Sequence, residues 1–325
     1  MGFLPFRIFA FFTLYISDFL YLVLMRILTI LRLTLMAMAS YATTLLPPQL
    51  HYWNSILPDT TMPKALSQLV QPGLVGKGNL SFFSQDAARN CWCVFVNYKG
   101  KSGGPSQVFF FLEKDMHPGN GKKYRLAKNS TRATFLSRKT AESIPFSSSK
   151  MPQILHQYSL KPGSVEAIRI NETIQECESQ GIIGEKKQCA TSLESMIDYA
   201  AFKLGRNIEA VSTEVEKAAA AVQNYTISPG MKNLSAAYKN KVLVCRKLNY
   251  PYAVFYCHAF QSIRAYMVPL RGSDGITVKA VAICHTDTSE WNPKIFQDLK
   301  VKPGTIPVCH FLPDGDIAWV LKQKH

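Results

Sequence analysis

The sequence is short of acid. Its 325 residues include 22 Asp and Glu against 37 Lys and Arg, a formal charge of +15. That imbalance argues for polyanionic surroundings: nucleic acid, an anionic membrane or an acidic polysaccharide. The basic residues are scattered, with no run of five or more, no zinc-finger spacing and no aromatic RNA-binding signature, which argues against nucleic acid. There is no internal repeat with a period of roughly 20–50 residues, so solenoids and propellers are excluded. There is also no GxSxG elbow, no Gly-rich phosphate loop followed by Lys-Ser/Thr and no HExxH, which removes the common hydrolase, nucleotide and zinc-protease readings. Asp274, Asp287, Asp314 and Asp316 fall in Gly-, Pro- and Thr-rich turns, where Asp is favoured for turn geometry, and none is read as a general acid.

Apolar residues are plentiful, at 47% with 11% aromatic, enough for a large core. The first 39 residues read as a leader. The stretch from Ile8 to Met25 is apolar except for Thr13, Ser17 and Asp18; Arg26 then precedes a second apolar stretch that ends in Ala37-Met38-Ala39. A positive residue, an apolar run and a small-x-small triplet are the parts of a secretory signal, which puts the mature start near Ser40. Two alternatives stand beside it: an uncleaved anchor, since 8–25 is about long enough to span a bilayer, and translation from Met25. Five N-x-S/T triplets, at Asn79, Asn129, Asn171, Asn224 and Asn233, are candidate glycosylation sites. The eight cysteines are even in number and can pair in an oxidising compartment.

Residues 40–107 contain Pro47, Pro48, Pro58, Pro63 and Pro72 and predict an extended linker with one local turn. The main domain begins near 108 and runs to 322. Ser192 to Leu204 has apolar residues at helical spacing and Glu194 in its first turn, the strongest helix pattern in the chain. Beyond it IEAVSTEV, KVLVCRKL, YAVFYCH, IRAYMVPL, ITVKAVAICH, IPVCHFL and DIAWVLK are β-branched or aromatic runs bounded mostly by Gly, Pro, Asn or Asp, with a hairpin turn at 270–275. Strands joined by short turns predict an α+β fold dominated by antiparallel sheet, with few helices.

Three Cys-His dipeptides recur in the last third: Cys257-His258, Cys284-His285 and Cys309-His310; a fourth cysteine, Cys245, is followed by Arg246 instead. Neighbouring residues in a strand point to opposite faces, so each pair can put sulfur on one side of a sheet and imidazole on the other. The spacing is unlike the close Cys-x-x-Cys knuckles of structural zinc domains. Together with VFFFLEKDMHPG at 108–119, GEKKQCATSLESMIDYA at 184–200 and the segments LNYPYAVFYCH, VPLRGSDG, AVAICHTDTSEWNP and VKPGTIPVCHFLPDGDIAWV, this series resembles the plant BURP domain over roughly 108–320. Tyr52-Trp53 with Leu57-Pro58 and Met62-Pro63 resembles the segment often found just upstream of it.

The resemblance implies a secreted plant protein of the cell wall, apoplast or storage vacuole, tied to abiotic stress or to seed and anther development. For most members it implies no activity. Some are copper-dependent peptide cyclases that cross-link Tyr or Trp side chains, and the corresponding copper ligands here would be His258, His285 and His310, with His117 outlying. Imidazole suits copper; Arg246 does not, since a guanidinium has no lone pair to give. The alternative role for these histidines is hydrogen bonding within a β-domain. Cys177 and Cys189 flank a Gly-containing loop as a candidate local bridge; Cys245, Cys257, Cys284 and Cys309 would form two more, in any of three pairings. Cys91 and Cys93 are left free or pair between chains. The expectation is therefore a disulfide-stapled, non-enzymatic matrix protein that binds acidic wall polysaccharide, with the copper cyclase as the competing class. Oligomeric state, and any membrane partner beyond an uncleaved leader, are left open.

Overall fold

The computed structural model describes residues 21–36, 47–70, 110–124, 126, 133–181, 184–215, 223–236, 241–259, 263–291 and 293–323. Cys91, Cys93 and the cleavage triplet at 37–39 lie outside them. Two units are distinguished, 1–51 and 52–325. In the first, residues 21–36 form a helix (α1) with exposed apolar side chains, and among the described residues no helix is long and apolar enough to cross a membrane.

The Pro-containing segment corrects one expectation. Where prolines predict an extended stretch, Pro48–Ile56 is an α-helix (α2) and Lys64–Ser67 a second short one (α3). Proline at the first helical position forfeits no internal hydrogen bond, so Pro48 starts a helix that it would break from inside. Trp53 is held in place: its ring lies 5.7 Å from that of Trp319 and its indole N–H donates to the carbonyl of Thr60. Three further helices, α4 (Arg138–Glu142), α5 (Met151–Gln157) and α6 (Val165–Glu178), precede α7 (Leu193–Leu204). Ser137, Ser164 and Ser192 cap α4, α6 and α7, each accepting a backbone N–H three residues on.

Thirteen strands are described: β1 (Phe111–Leu112), β2 (Gly121–Tyr124), β3 (Lys186–Ala190), β4 (Ile208–Val211), β5 (Glu214–Val215), β6 (Gln223–Ile227), β7 (Lys232–Asn233), β8 (Val242–Lys247), β9 (Phe255–Ala259), β10 (Ile263–Gly272), β11 (Thr277–His285), β12 (Val308–Phe311) and β13 (Ile317–Leu321). All pair antiparallel, in two sheets. One runs β1-β12-β11-β10-β6-β2, with β5 added on β11 and β7 on β10; the other runs β3-β9-β8-β13-β4. The β10–β11 hairpin closes through the expected turn, where Gly275 takes φ +81° and Arg271 opposes Thr277. The first sheet curls: rings from the two ends of its strand order, Phe111 of β1 and Tyr124 of β2, lie 5.9 Å apart.

Strand alternation sorts the side chains into layers. Val242, Val244, Ala318 and Val320 of the five-stranded sheet pack against Ile263, Ala265, Val281, Ile283 and the neighbouring Leu312 of the other, forming the interior between the sheets. The opposite face of the first sheet buries Cys284, Cys309, Phe311 and Tyr225 in its own core. The outer face of the five-stranded sheet lies beneath α7, which packs over β3, β8 and β13. A third core collects Ile154, Ile170 and Ile174 of α5 and α6 with Tyr250, Tyr252 and Val254.

Candidate functional site

The cysteines pair within these layers. Cys245 lies directly opposite Cys257 across β8 and β9, and Cys284 directly opposite Cys309 across β11 and β12; both pairs are disulfides. The third bridge, Cys177–Cys189, ties the end of α6 to β3. All four cysteines of the two cross-strand bridges are fully buried.

One residue further along each strand, the side chain turns to the other face, which is the interior between the sheets. There Arg246, His258, His285 and His310 extend the Val244–Ile283 layer, each at most 7% exposed. The His285 and His310 rings stack, with centroids 5.7 Å apart and planes inclined by 20°. His258 and Arg246 come from the other sheet and bear electrostatically on both. Three of the four histidines expected to act together are thus gathered by the two-sheet packing. His117 is not: it is exposed, in the turn between β1 and β2, with its Nδ1 3.2 Å from the carbonyl of Pro118.

Aromatic rings and two carboxyls surround the group. Trp291 lies 4.8 Å from His285, Phe110 6.2 Å from His310 and Tyr256 5.2 Å from His258. Glu185 Oε1 accepts from His258 Nδ1–H at 2.9 Å and from the Tyr256 hydroxyl at 2.8 Å, which fixes His258 in the Nδ1-protonated form. Asp316 is buried at the start of β13, accepts the backbone N–H of Lys247 and faces Arg246.

Burial sets the protonation of these groups. Desolvation lowers the His258 pKa, opposed by the bond to Glu185. For His285 and His310 it lowers the pKa well below the ordinary value, helped by the positive charge of Arg246. Desolvation raises Asp316 to about 6, although Arg246 pulls the other way. At neutral pH the group is three neutral imidazoles and one guanidinium, with Asp316 ionised beside it.

These residues do not fit the copper that the resemblance implies. Among the described residues no three His, Cys, Asp or Glu side chains are disposed to hold a metal ion. The position that would supply a fourth imidazole carries a buried, permanent positive charge, and an entering cation would be brought up against it.

Glu185 and Asp316 escaped the sequence reading. Glu185 lies in a segment singled out for Cys189, and Asp316 reads as a turn residue. The available signal was alternation: Asp316 is two residues before Ala318 and so falls on the same inward face. Of the candidate glycan sites, Asn224 in β6 and Asn233 in β7 are exposed, Asn171 on α6 is half-buried, and Asn79 and Asn129 lie outside the described residues.

The BURP domain profile matches residues 109–321. The chain is 46% identical over 218 residues to BURP domain-containing protein 3 of Oryza sativa subsp. japonica, covering 66% of this chain and 51% of that protein. It is 47% identical over 222 residues to BURP domain protein RD22 of Arabidopsis thaliana, covering 66% and 56%. Against BURP domain-containing protein 5 of Oryza sativa subsp. japonica it is 40% identical over 284 residues, covering 82% and 85%. The chain therefore spans about half the length of the first two relatives and most of the third.

Proposed function

This chain belongs to the plant BURP-domain family, and on that premise we propose that it is a non-enzymatic protein of the cell wall, apoplast or vacuole that binds acidic wall polysaccharide in development or abiotic stress. The observation that carries the non-enzymatic reading is Arg246: a guanidinium shares the buried interior with His258, His285 and His310, so the group is built as a packed polar layer. Three buried or partly buried disulfides support residence in an oxidising compartment. The formal charge of +15 supports an acidic polymer as partner.

The test is retention on immobilised polygalacturonate. Binding is expected at low ionic strength and should weaken as salt screens the charges; retention that does not respond to salt would count against the reading. Purified protein should also be incubated with copper and its Tyr and Trp peptides weighed. A loss of two hydrogens localised to one of them would replace the binding role with the cyclase.

A further inference from the structure

A cavity of about 370 Å³ opens between the loop before β3, β3 itself and the C-terminal half of α7, with Glu185, the partner of His258, in its wall. That is near the lower end of the range for small-molecule sites, about 300–1,000 Å³. Lys186, Lys187, Lys203, Glu185 and Tyr199 line it, three positive charges to one negative.

Each of these groups is placed differently. Tyr199 is 6% exposed, and its phenolic oxygen is buried with no hydrogen-bond partner. A buried hydroxyl in that condition destabilises the fold until something bonds to it. Lys187 is already committed, donating to the carbonyl of Glu176 and to Ser179 Oγ, both at 2.7 Å. Lys203 Nζ sits 5.3 Å over the Tyr199 ring and 5.1 Å over that of Phe202. Phe202 is 79% exposed, a large flat apolar face that reaches the cavity only through Lys203, which lines it. Lys186, the first residue of β3, is exposed and also lines the cavity. Carboxylate-binding ammonium groups, a ring face and a buried hydroxyl are what one acidic pyranose needs: counter-charge, a surface for its C–H face and a partner for its hydroxyls.

We propose that this cavity is the binding site for a single uronate residue of an acidic polysaccharide. Lys186 and Lys203 hold the carboxylate, Phe202 lies against the sugar ring, and the Tyr199 hydroxyl takes up a sugar hydroxyl. The proposal rests on the polysaccharide reading above and gives it an address; without it the charge alone would bind the polymer anywhere on the surface.

The experiment uses the full disulfide-bonded chain and trigalacturonate as probe, followed by calorimetry at low salt, alongside retention on polygalacturonate. The double variant Lys186→Gln/Lys203→Gln is expected to weaken trimer binding by about tenfold or more, as for loss of charge-assisted bonds. The double variant Lys232→Gln/Lys279→Gln, which removes the same charge from exposed positions on β7 and β11, should leave it unchanged. Tyr199→Phe should weaken binding several-fold without lowering the melting temperature, because the hydroxyl has no partner in the free protein. Equal losses in the two lysine variants would overturn the site, as would equal binding of a neutral galactose trimer or of inorganic phosphate. Retention on the polymer with no binding of the trimer would overturn the site and leave the polysaccharide reading standing; absence of both would remove the reading itself.

Discussion

Acidification should destabilise this fold by an amount that its buried histidines set. His285 and His310 are buried and neutral, with pKa values well below 6.5, whereas in the unfolded chain they titrate near 6.5. As pH falls below 6.5 the unfolded chain takes up protons that the folded chain refuses, so the free energy of unfolding falls with pH; the stability is whole above the unfolded value and is lost downward from it. Between pH 7.5 and 5.5 each such group costs about 1.4 kcal/mol, or about 2.7 for the pair. His258 shifts the same way, with Glu185 opposing burial, and adds to the loss. Asp316 runs in the other direction. Its carboxyl titrates at about 6 in the fold against 3.8 unfolded, so the folded state binds the extra proton and regains about 0.8 kcal/mol by pH 5.5. The net loss is about 2 kcal/mol before His258 is included, which corresponds to a fall of roughly 1 M in the urea midpoint for a slope of about 2–3 kcal/mol/M. Urea unfolding of the disulfide-bonded protein at the two pH values measures it, and His285→Gln should reduce the pH-dependent fall by about 1.4 kcal/mol. A midpoint that stays constant or rises on acidification would refute the reasoning.

Arg246→His removes a charge that would lie roughly 6 Å from a cation entering the group; at an effective dielectric constant of about 20 this relieves about 3 kcal/mol per unit charge, so copper(II) should bind at least about 100-fold more tightly in a competition titration. Equal affinity in the two proteins would show that the guanidinium does not exclude metal. Replacing both Cys284 and Cys309 by Ala opens a loop closed across 25 residues and should lower stability by about 3 kcal/mol, read from urea melts under non-reducing conditions. Trp53→Ala empties a fully buried site against Trp319 and should cost about 3–5 kcal/mol in the same melts, where a change below 1 kcal/mol would show that the upstream segment is not part of the folded unit.

The strands were legible because their signal is local. Runs such as ITVKAVAICH carry β-branched residues over their whole length, and β11 occupies Thr277–His285 within that run. The Ser192–Leu204 pattern likewise became α7, with Ser192 outside as its cap. What stayed hidden depends on partners distant in sequence. Helix α6 shows only Ala167, Ile170, Thr173 and Ile174 on its buried face, a sparse pattern that becomes decisive only when Tyr250 and Val254 supply the other wall. Helix α2 reads as linker until Trp319 gives Trp53 something to cover. At the site, the sulfur–imidazole alternation could be seen in the dipeptides, but not that two different sheets would turn their imidazoles towards one interior. Glu185 had no signal at all, since what distinguishes it is a bond to His258, 73 residues away.

The two cross-strand disulfides and the histidine layer are consequences of one register. With Cys245 opposite Cys257 and Cys284 opposite Cys309, a slip of one residue in either pair would break a bond and also turn an imidazole or the Arg246 guanidinium out of the interior. The bridges therefore fix which polar groups are buried, and the polar groups make any other register costly, because an imidazole packed beside Trp291 or Phe110 would be exchanged for a different side chain. In this chain the fourth position of the layer is filled by a cation. Burial, with that charge adding to it, depresses the neighbouring imidazoles, and Asp316, which faces the guanidinium, takes up a proton near pH 6. The three imidazoles that complete the core at neutral pH are thus the groups that oppose it in acid, and proton uptake by Asp316 offsets only part of that opposition.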